Sequence, residues 1–422
     1  MTAQQGHLPP SRDPFPCDGA DNPLSAAFWT RPPHQRDAVF ARLRAQDAPV
    51  FLHRPATGAW QVGDGFYALT RYSHVLAAGR DTQAFSSEPT AVSLEAPPPQ
   101  IRQDQAAIIN LDNPRHARLR KIVSRMFTPA KIQQLEAHMA VQARRIVDDL
   151  LDRGPCDFAR DVAPALPIQV ICTMTGIPDA DRPVVLHAVD LLFQATDMDS
   201  RVDPRQLAQA LDTVGRLIAD LVRTRRAHPT DDLISAVATS QGAGAYLNET
   251  EAITFFLALV GGGNETVRNT LCHALSQLTD HPDQYRLLLG DLPARLPTAI
   301  EEFVRHASSV SWVRRTVRHP TQLGDQIFQI GDKVILYYAS ANMDDTVFSS
   351  PQTLDILRNP NPHLGFGTPN PHFCLGAHLA RRELTALLTE LLTRIPTLHA
   401  TAPPTYHPRG ATQDITHLPC AW

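Results

Sequence analysis

Apolar residues recur at three- and four-residue intervals over most of this chain, the period of a helix with one buried face. The pattern predicts helices over residues 37–46, 130–152, 183–196, 204–226, 249–281 and 294–306, and a last long one over 375–394. The stretch NPRHARLRKIVSRMF opens another, with Asn113 as candidate N-cap and Pro114 at the first helical position. Two stretches switch to a two-residue period. GAWQVGDGFYALTRY (residues 58–72) alternates like a hairpin turning at its Gly-Asp-Gly. Residues 313–340, VRRTVRHPTQLGDQIFQIGDKVILYYAS, read as successive strands with Gly-Asp pairs at the turns. Residues 86–109 carry three consecutive prolines and read as a long loop, a feature that often binds or covers a ligand. The first 25 residues lack any period and are expected to form a flexible segment. The remainder, 26–422, reads as one domain, mainly α with a small β portion contributed from both halves.

Composition narrows the classes. Lys+Arg 39 against Asp+Glu 43 gives a net charge of −4, which offers no electrostatic case for a nucleic-acid partner. The most apolar run, AITFFLALVGGG from Ala252, falls well short of the ~20 residues that a membrane span requires. No apolar signal core is visible near the N-terminus, so a cytoplasmic location is expected. Cys17, Cys156, Cys172, Cys272, Cys374 and Cys420 show no paired spacing, which suits a reducing compartment.

One cysteine has unusual surroundings. In HLGFGTPNPHFCLGAHLARREL, Cys374 stands at the start of a predicted helix, whose free N–H groups would favour a thiolate. Gly376 would let a ligand approach the backbone, Phe366 could cover the sulfur, and His372 could donate to an anion. Simple packing of a small buried cysteine would give a lone residue of this kind as well. Other features need explaining too. LALVGGGNETVRN places three glycines inside an apolar helix, each costing about 1 kcal/mol relative to alanine, which marks a close approach or a kink. In EEFVR, Glu302 and Arg305 share a helix face at i and i+3. In HARLR, His116 and Arg120 share one at i and i+4, able to clamp a single anion.

FGTPNPHFCLGAHLAR resembles the haem-binding signature of the cytochrome P-450 superfamily, whose FGxGxHxCxG loop carries the axial cysteine. Phe366, Gly367, His372, Cys374, Gly376, Leu379, Ala380 and Arg381 match; the loop is one residue longer, and Pro369 stands where a glycine is usual. HARLR, GGNET, EEFVR, RRT and the cysteine loop follow one another in the family's order, and the resemblance covers essentially the whole chain after about residue 25.

The resemblance implies the cytochrome P-450 fold and a haem b with Cys374 as thiolate ligand, held between the long helix and the cysteine-side helix. Gly262, Gly263, Phe366, Gly367 and Gly376 would make room for or cover the cofactor. His116, Arg120, His372 and Arg315 would hold its propionates, with Arg314 as the alternative because strand alternation turns only one inward. Thr266 and Glu265 would form an acid–alcohol pair for proton delivery, and Glu302, Arg305 and Arg358 a structural trio. Leu111, Leu259, Val260, Val310, Trp312 and Val313 would line a substrate pocket, with residues 93–111 and a lid over 191–198.

The activity implied is insertion of one oxygen atom from O2 into a C–H or C=C bond of a bulky hydrophobic molecule, a sterol or branched lipid or a polyketide or terpenoid. A peroxide-using enzyme and a non-catalytic haem protein of the same fold are the alternatives. NAD(P)H-derived electrons would arrive through a ferredoxin and its reductase, docking on Arg120, Lys121, Arg125, Arg381 and Arg382, and the protein would act as a monomer.

Overall fold

The computed structural model describes residues 19–53, 65–96, 107–195, 201–239, 249–409 and 411–422. The helices that bear on the site are α1 (Tyr72–Arg80), α2 (Arg115–Ser124), α3 (Pro129–Arg153), α4 (Ala165–Thr175), α5 (Glu249–Asp280), α6 (Leu292–Ala307) and α7 (Ala377–Arg394). The main sheet comprises β1 (Val50–His53), β2 (Gly65–Leu69), β3 (Phe85–Ser86), β4 (Trp312–Val317) and β5 (Lys333–Tyr337), in the order β1-β2-β5-β4-β3. Its strands do come from both halves of the chain. The other helices also stand where periodicity placed them, at Pro33–Arg44, Arg182–Ala195 and Pro204–Ala227.

Local chemistry sets several boundaries. Thr128 caps α3 by accepting the Lys131 N–H, Pro129 occupies its first position, and Gly154 ends it at φ +82°. Along α7, Leu384, Leu387, Leu388, Leu391 and Leu392 form the stripe that packs against α3. Full burial of each such side chain contributes about 1.5–3 kcal/mol. The largest apolar cluster gathers α3, α4, α5, α6 and α7, and two smaller clusters flank the main sheet.

Some expectations change. Helix α2 begins at Arg115, with Pro114 in the cap position and no side-chain cap from Asn113. The Gly-Asp-Gly turn reaches outside the described residues, and the antiparallel partner of Gly65–Leu69 is Val50–His53. Of the segment expected to be flexible, 1–18 lie outside the described residues, whereas Asn22, Pro23 and Leu24 are buried. Leu24 is buried beside Phe28 and Trp29, and the Asn22 amide donates to the His53 carbonyl at 2.7 Å. The short helix Ala165–Thr175 escaped the sequence reading because it is apolar nearly all round, so no face stands out. Cys156 and Cys420, without paired spacing in sequence, are register partners on neighbouring antiparallel strands with sulfurs 3.9 Å apart.

Candidate active site

The cysteine loop folds back on itself. Gly367 donates its N–H to the Leu364 carbonyl at 2.9 Å and turns at φ +85°, a conformation that favours glycine. Cys374 donates its N–H to the Phe366 carbonyl at 3.0 Å, and Gly376 serves as N-cap of α7. The sulfur sits deep in the protein, yet it opens onto a cavity also lined by Phe366, Gly367, His372 and Gly376. Burial pushes the Cys374 thiol up, against the lowering expected at a helix start. The Gly376 N–H and the charges of Arg120 and Arg381 pull the other way without overcoming it. A metal cation bound there would remove the thiol proton that burial otherwise retains.

The lengthened TPNP segment anchors this loop. The Asn370 side-chain amide donates to the Gly79 carbonyl at the end of α1 and to Thr368 Oγ1 at 2.8 Å. Asn370 Oδ1 accepts the His372 N–H at 2.6 Å. Gly79 leaves the room needed, since a Cβ there would fall 2.3 Å from Thr368 Oγ1. Asn370 of the lengthened segment therefore ties the loop to α1 and orients His372.

Two arginines and two histidines gather in the cavity wall. His116, Arg120, Arg315 and His372 all line it, and the two imidazole rings lie 4.0 Å apart between centroids. Among the described residues, none of the four forms an ion pair with a carboxylate, and the buried His116 Nδ1 has no hydrogen-bond partner. Burial pushes the His372 pKa down to about 3, and neighbouring His116, Arg315 and Arg120 push the same way. Both imidazoles are thus neutral donors beside two permanent guanidinium charges, a set able to hold carboxylates. Strand alternation also resolves the Arg314/Arg315 choice. Arg315 and Val313 face the cavity, while Arg314 donates to the Leu94 carbonyl at 2.8 Å beneath the Phe66 ring.

Helix α5 runs uninterrupted for 32 residues, so its glycines mark no break. Gly262 lines the cavity, and a Cβ built on it meets nothing within 4 Å; on Gly263 it would lie 3.1 Å from Ile171 of α4. Thr266 also lines the cavity and donates its hydroxyl to the Gly262 carbonyl at 2.8 Å. Glu265 does not reach the lining. Its carboxylate pairs with Arg268 at 2.6 Å, and Arg268 in turn binds the Ala159 and Ile415 carbonyls.

Three expected wall residues are displaced. Val260 is buried in the core one helical step from the cavity stripe, which runs Leu259, Gly262, Gly263, Thr266, Val267, Thr270. Leu111 is buried beside the wall that Ile108 and Ile109 supply, and Trp312 packs with Trp29, Phe40 and Tyr337 on the far side of the sheet. Leu259, Val310 and Val313 line the cavity as expected. Thr270 and Ser309, whose hydroxyls lie 3.0 Å apart, were missed; the i, i+4, i+8 continuation from Gly262 through Thr266 would have found the first. Much of the loop and lid expectation, 97–106 and 196–198, lies outside the described residues.

The trio lies behind the cysteine loop. Arg305 grips Glu302 with two bonds of 2.8 Å, and Arg358 Nε reaches the same oxygens at 3.1 and 3.2 Å. Asn361 and the Asp355 N–H complete the carboxylate's shell at 3.0 and 3.1 Å. None of these residues touches the cavity.

A thiol at one wall, glycines along the opposing helix and an unpaired cationic corner fit an iron porphyrin bound through Cys374 and its propionates. The comparisons agree. A family model described as Cytochrome P450 matches residues 294–409. A methyl-branched lipid omega-hydroxylase of Mycobacterium tuberculosis is 38% identical over 402 residues, 94% of each chain. A steroid C26-monooxygenase of Rhodococcus jostii is 33% identical over 90% of this chain and 79% of its own. A cytochrome P450 of Mycobacterium marinum solved with pseudoionone superposes with a TM-score of 0.91 at 36% identity, covering 98% of this chain and 100% of that one. The chain therefore belongs to the cytochrome P450 family of monooxygenases.

Proposed function

We propose that this monooxygenase hydroxylates a methyl-branched or steroid lipid at a C–H bond, using a haem b held by Cys374. The observation that carries the substrate class is the wall formed by Ile108, Ile109, Leu259, Val310 and Val313, an apolar surface facing the same cavity as the cysteine. Such a surface holds hydrocarbon by excluding water and offers a polar substrate no partner. The relatives' names, for a branched-lipid hydroxylase and a steroid monooxygenase, support the same choice. When bound, the haem supplies the oxidising power, activating O2 after two electrons and two protons arrive. The chain's own residues then position the lipid and manage protons. Thr266 presents its hydroxyl at the cavity for proton delivery, whereas Glu265, outside the lining and paired with Arg268, would join that relay only on leaving the pair.

Adding branched fatty acids and steroids to the haem-loaded protein is expected to convert low-spin to high-spin spectra. Pseudoionone and macrolides serve as the comparison set. A shift given by macrolides alone would overturn the lipid assignment in favour of secondary-metabolite tailoring. Thr266→Ala is expected to keep haem while diverting most consumed NAD(P)H to hydrogen peroxide. Unchanged coupling of electrons to product would remove Thr266 from proton delivery.

Electrons are proposed to come from a ferredoxin and its reductase, meeting a monomeric, cytoplasmic enzyme on the cysteine side. The docking charge is smaller than the sequence count suggests. Arg381 pairs with Glu301, Arg382 with Glu136, and Arg120 turns to the Phe373 carbonyl at 2.7 Å. Lys121 remains exposed there, and Arg125 is exposed while donating to backbone carbonyls. No helix among the described residues is long and apolar enough to cross a membrane.

A further inference from the structure

A charged clamp lies beside the cysteine loop. Arg381, on the second turn of α7, meets Glu301 of α6 fork to fork, Nε to Oε1 at 2.6 Å and Nη2 to Oε2 at 2.8 Å. The centre of that guanidinium lies 4.3 Å from the centroid of the Phe366 ring. The same carboxylate takes His363 Nε2 at 3.0 Å, and His363 Nδ1 accepts the Gly365 N–H at 3.1 Å. Glu301 therefore holds His363 just ahead of the Phe366 turn and, from α7, the guanidinium that lies over the Phe366 ring. That residue's carbonyl receives the Cys374 N–H, and its ring lines the cavity beside the sulfur. Burial alone would raise the Glu301 carboxyl, but hydrogen bonds from Arg381 and His363 hold it down at about 2, so it stays ionised. Arg381 also acts on Cys374 directly through its charge.

We infer that Glu301 and Arg381 are positioning residues that set the electrostatic potential at the Cys374 sulfur, and so the ease of reducing the iron it holds. This rests on the haem-thiolate reading above. The guanidinium, fixed over Phe366, brings its positive charge to bear on the sulfur, and the carboxylate paired with it offsets that charge. Reduction adds one electron to the centre, so a net positive neighbour favours the reduced form and a net negative one opposes it.

The test is a redox titration of the haem-loaded full chain in a double-mutant cycle. Glu301→Gln keeps shape and one acceptor while leaving the guanidinium uncompensated. It is expected to favour reduction by about tenfold, about 59 mV for one electron. Arg381→Gln leaves the carboxylate alone and is expected to disfavour reduction, and the double variant to return close to the wild type. Loosening of the loop would move both single variants the same way and make the double worse; that outcome, or unchanged potentials, overturns the inference. Should Arg381→Gln fail to load haem, the sign of the Glu301→Gln shift decides, with Arg381→Lys as the charge-preserving control expected to move little. The carbon-monoxide spectrum of the wild type separates the two levels. Its failure to show a thiolate band would sink the haem-thiolate reading itself.

Discussion

Cys374→Ser is expected to abolish the strongly red-shifted Soret band of the reduced, carbon-monoxide-bound protein and to bring O2-dependent hydroxylation down to background. The sulfur opens onto the cavity, faces the glycine-bearing stretch of α5 across it, and accepts the Gly376 N–H. A serine hydroxyl keeps the volume but neither ionises readily nor donates electron density as a thiolate does. The fold should survive, because the loop is held by the backbone bond to Phe366 and by Asn370, neither of which uses the sulfur. A normal thiolate band in the serine variant would show that another residue holds the iron.

Glu302→Ala should be the most damaging substitution outside the cavity, costing about 3–5 kcal/mol by leaving buried Arg305 uncompensated. Glu302 and Arg305 are both fully buried, and Arg358, His306 and Asn361 converge on the same carboxylate. The Asn342 carbonyl and His306 Nε2 would remain as neutral partners of Arg305, which cannot balance its charge. Little haem-loaded protein is therefore expected, and the thermal midpoint of whatever folds should fall by several degrees. Burial alone would raise the Glu302 pKa, but the bonds from Arg305 and His306 depress it well below the ordinary carboxylate range. The unfolded chain thus takes up the proton first as pH falls. The stabilisation is present in full above the unfolded carboxyl pKa of about 4.3 and declines as pH drops through the folded value. The gap between wild type and variant, measured by denaturant unfolding, should accordingly narrow in acid. Wild-type stability and haem content in Glu302→Ala would refute the structural role.

The legible parts of the site share a feature: each is local. The i, i+3 spacing of Glu302 and Arg305 and the i, i+4 spacing of His116 and Arg120 follow from helix geometry alone. Strand alternation was enough to say that one of Arg314 and Arg315 turns inward. The same alternation, applied one residue earlier, would have sent Trp312 to the far side with Arg314, where it lies. Val260 was misplaced for a related reason. One step along a helix turns a side chain by about 100°, so neighbours of cavity residues lie in the core.

Helix and strand periods, the cysteine signature and the ordered motifs were properties of the sequence by itself, because they depend on spacings that a backbone imposes over a few residues. They were enough for the family and the buried trio, and they singled out Cys374 as the residue proposed to hold the iron. Only the tertiary structure decided what meets across the chain. It brought Asn370 to Gly79, Arg381 to Glu301 and Phe366, Cys156 to Cys420, and Ile108 to the cavity wall. Those meetings depend on how whole surfaces pack, with side chains interlocking at crystal-like density, and no short-range spacing encodes them.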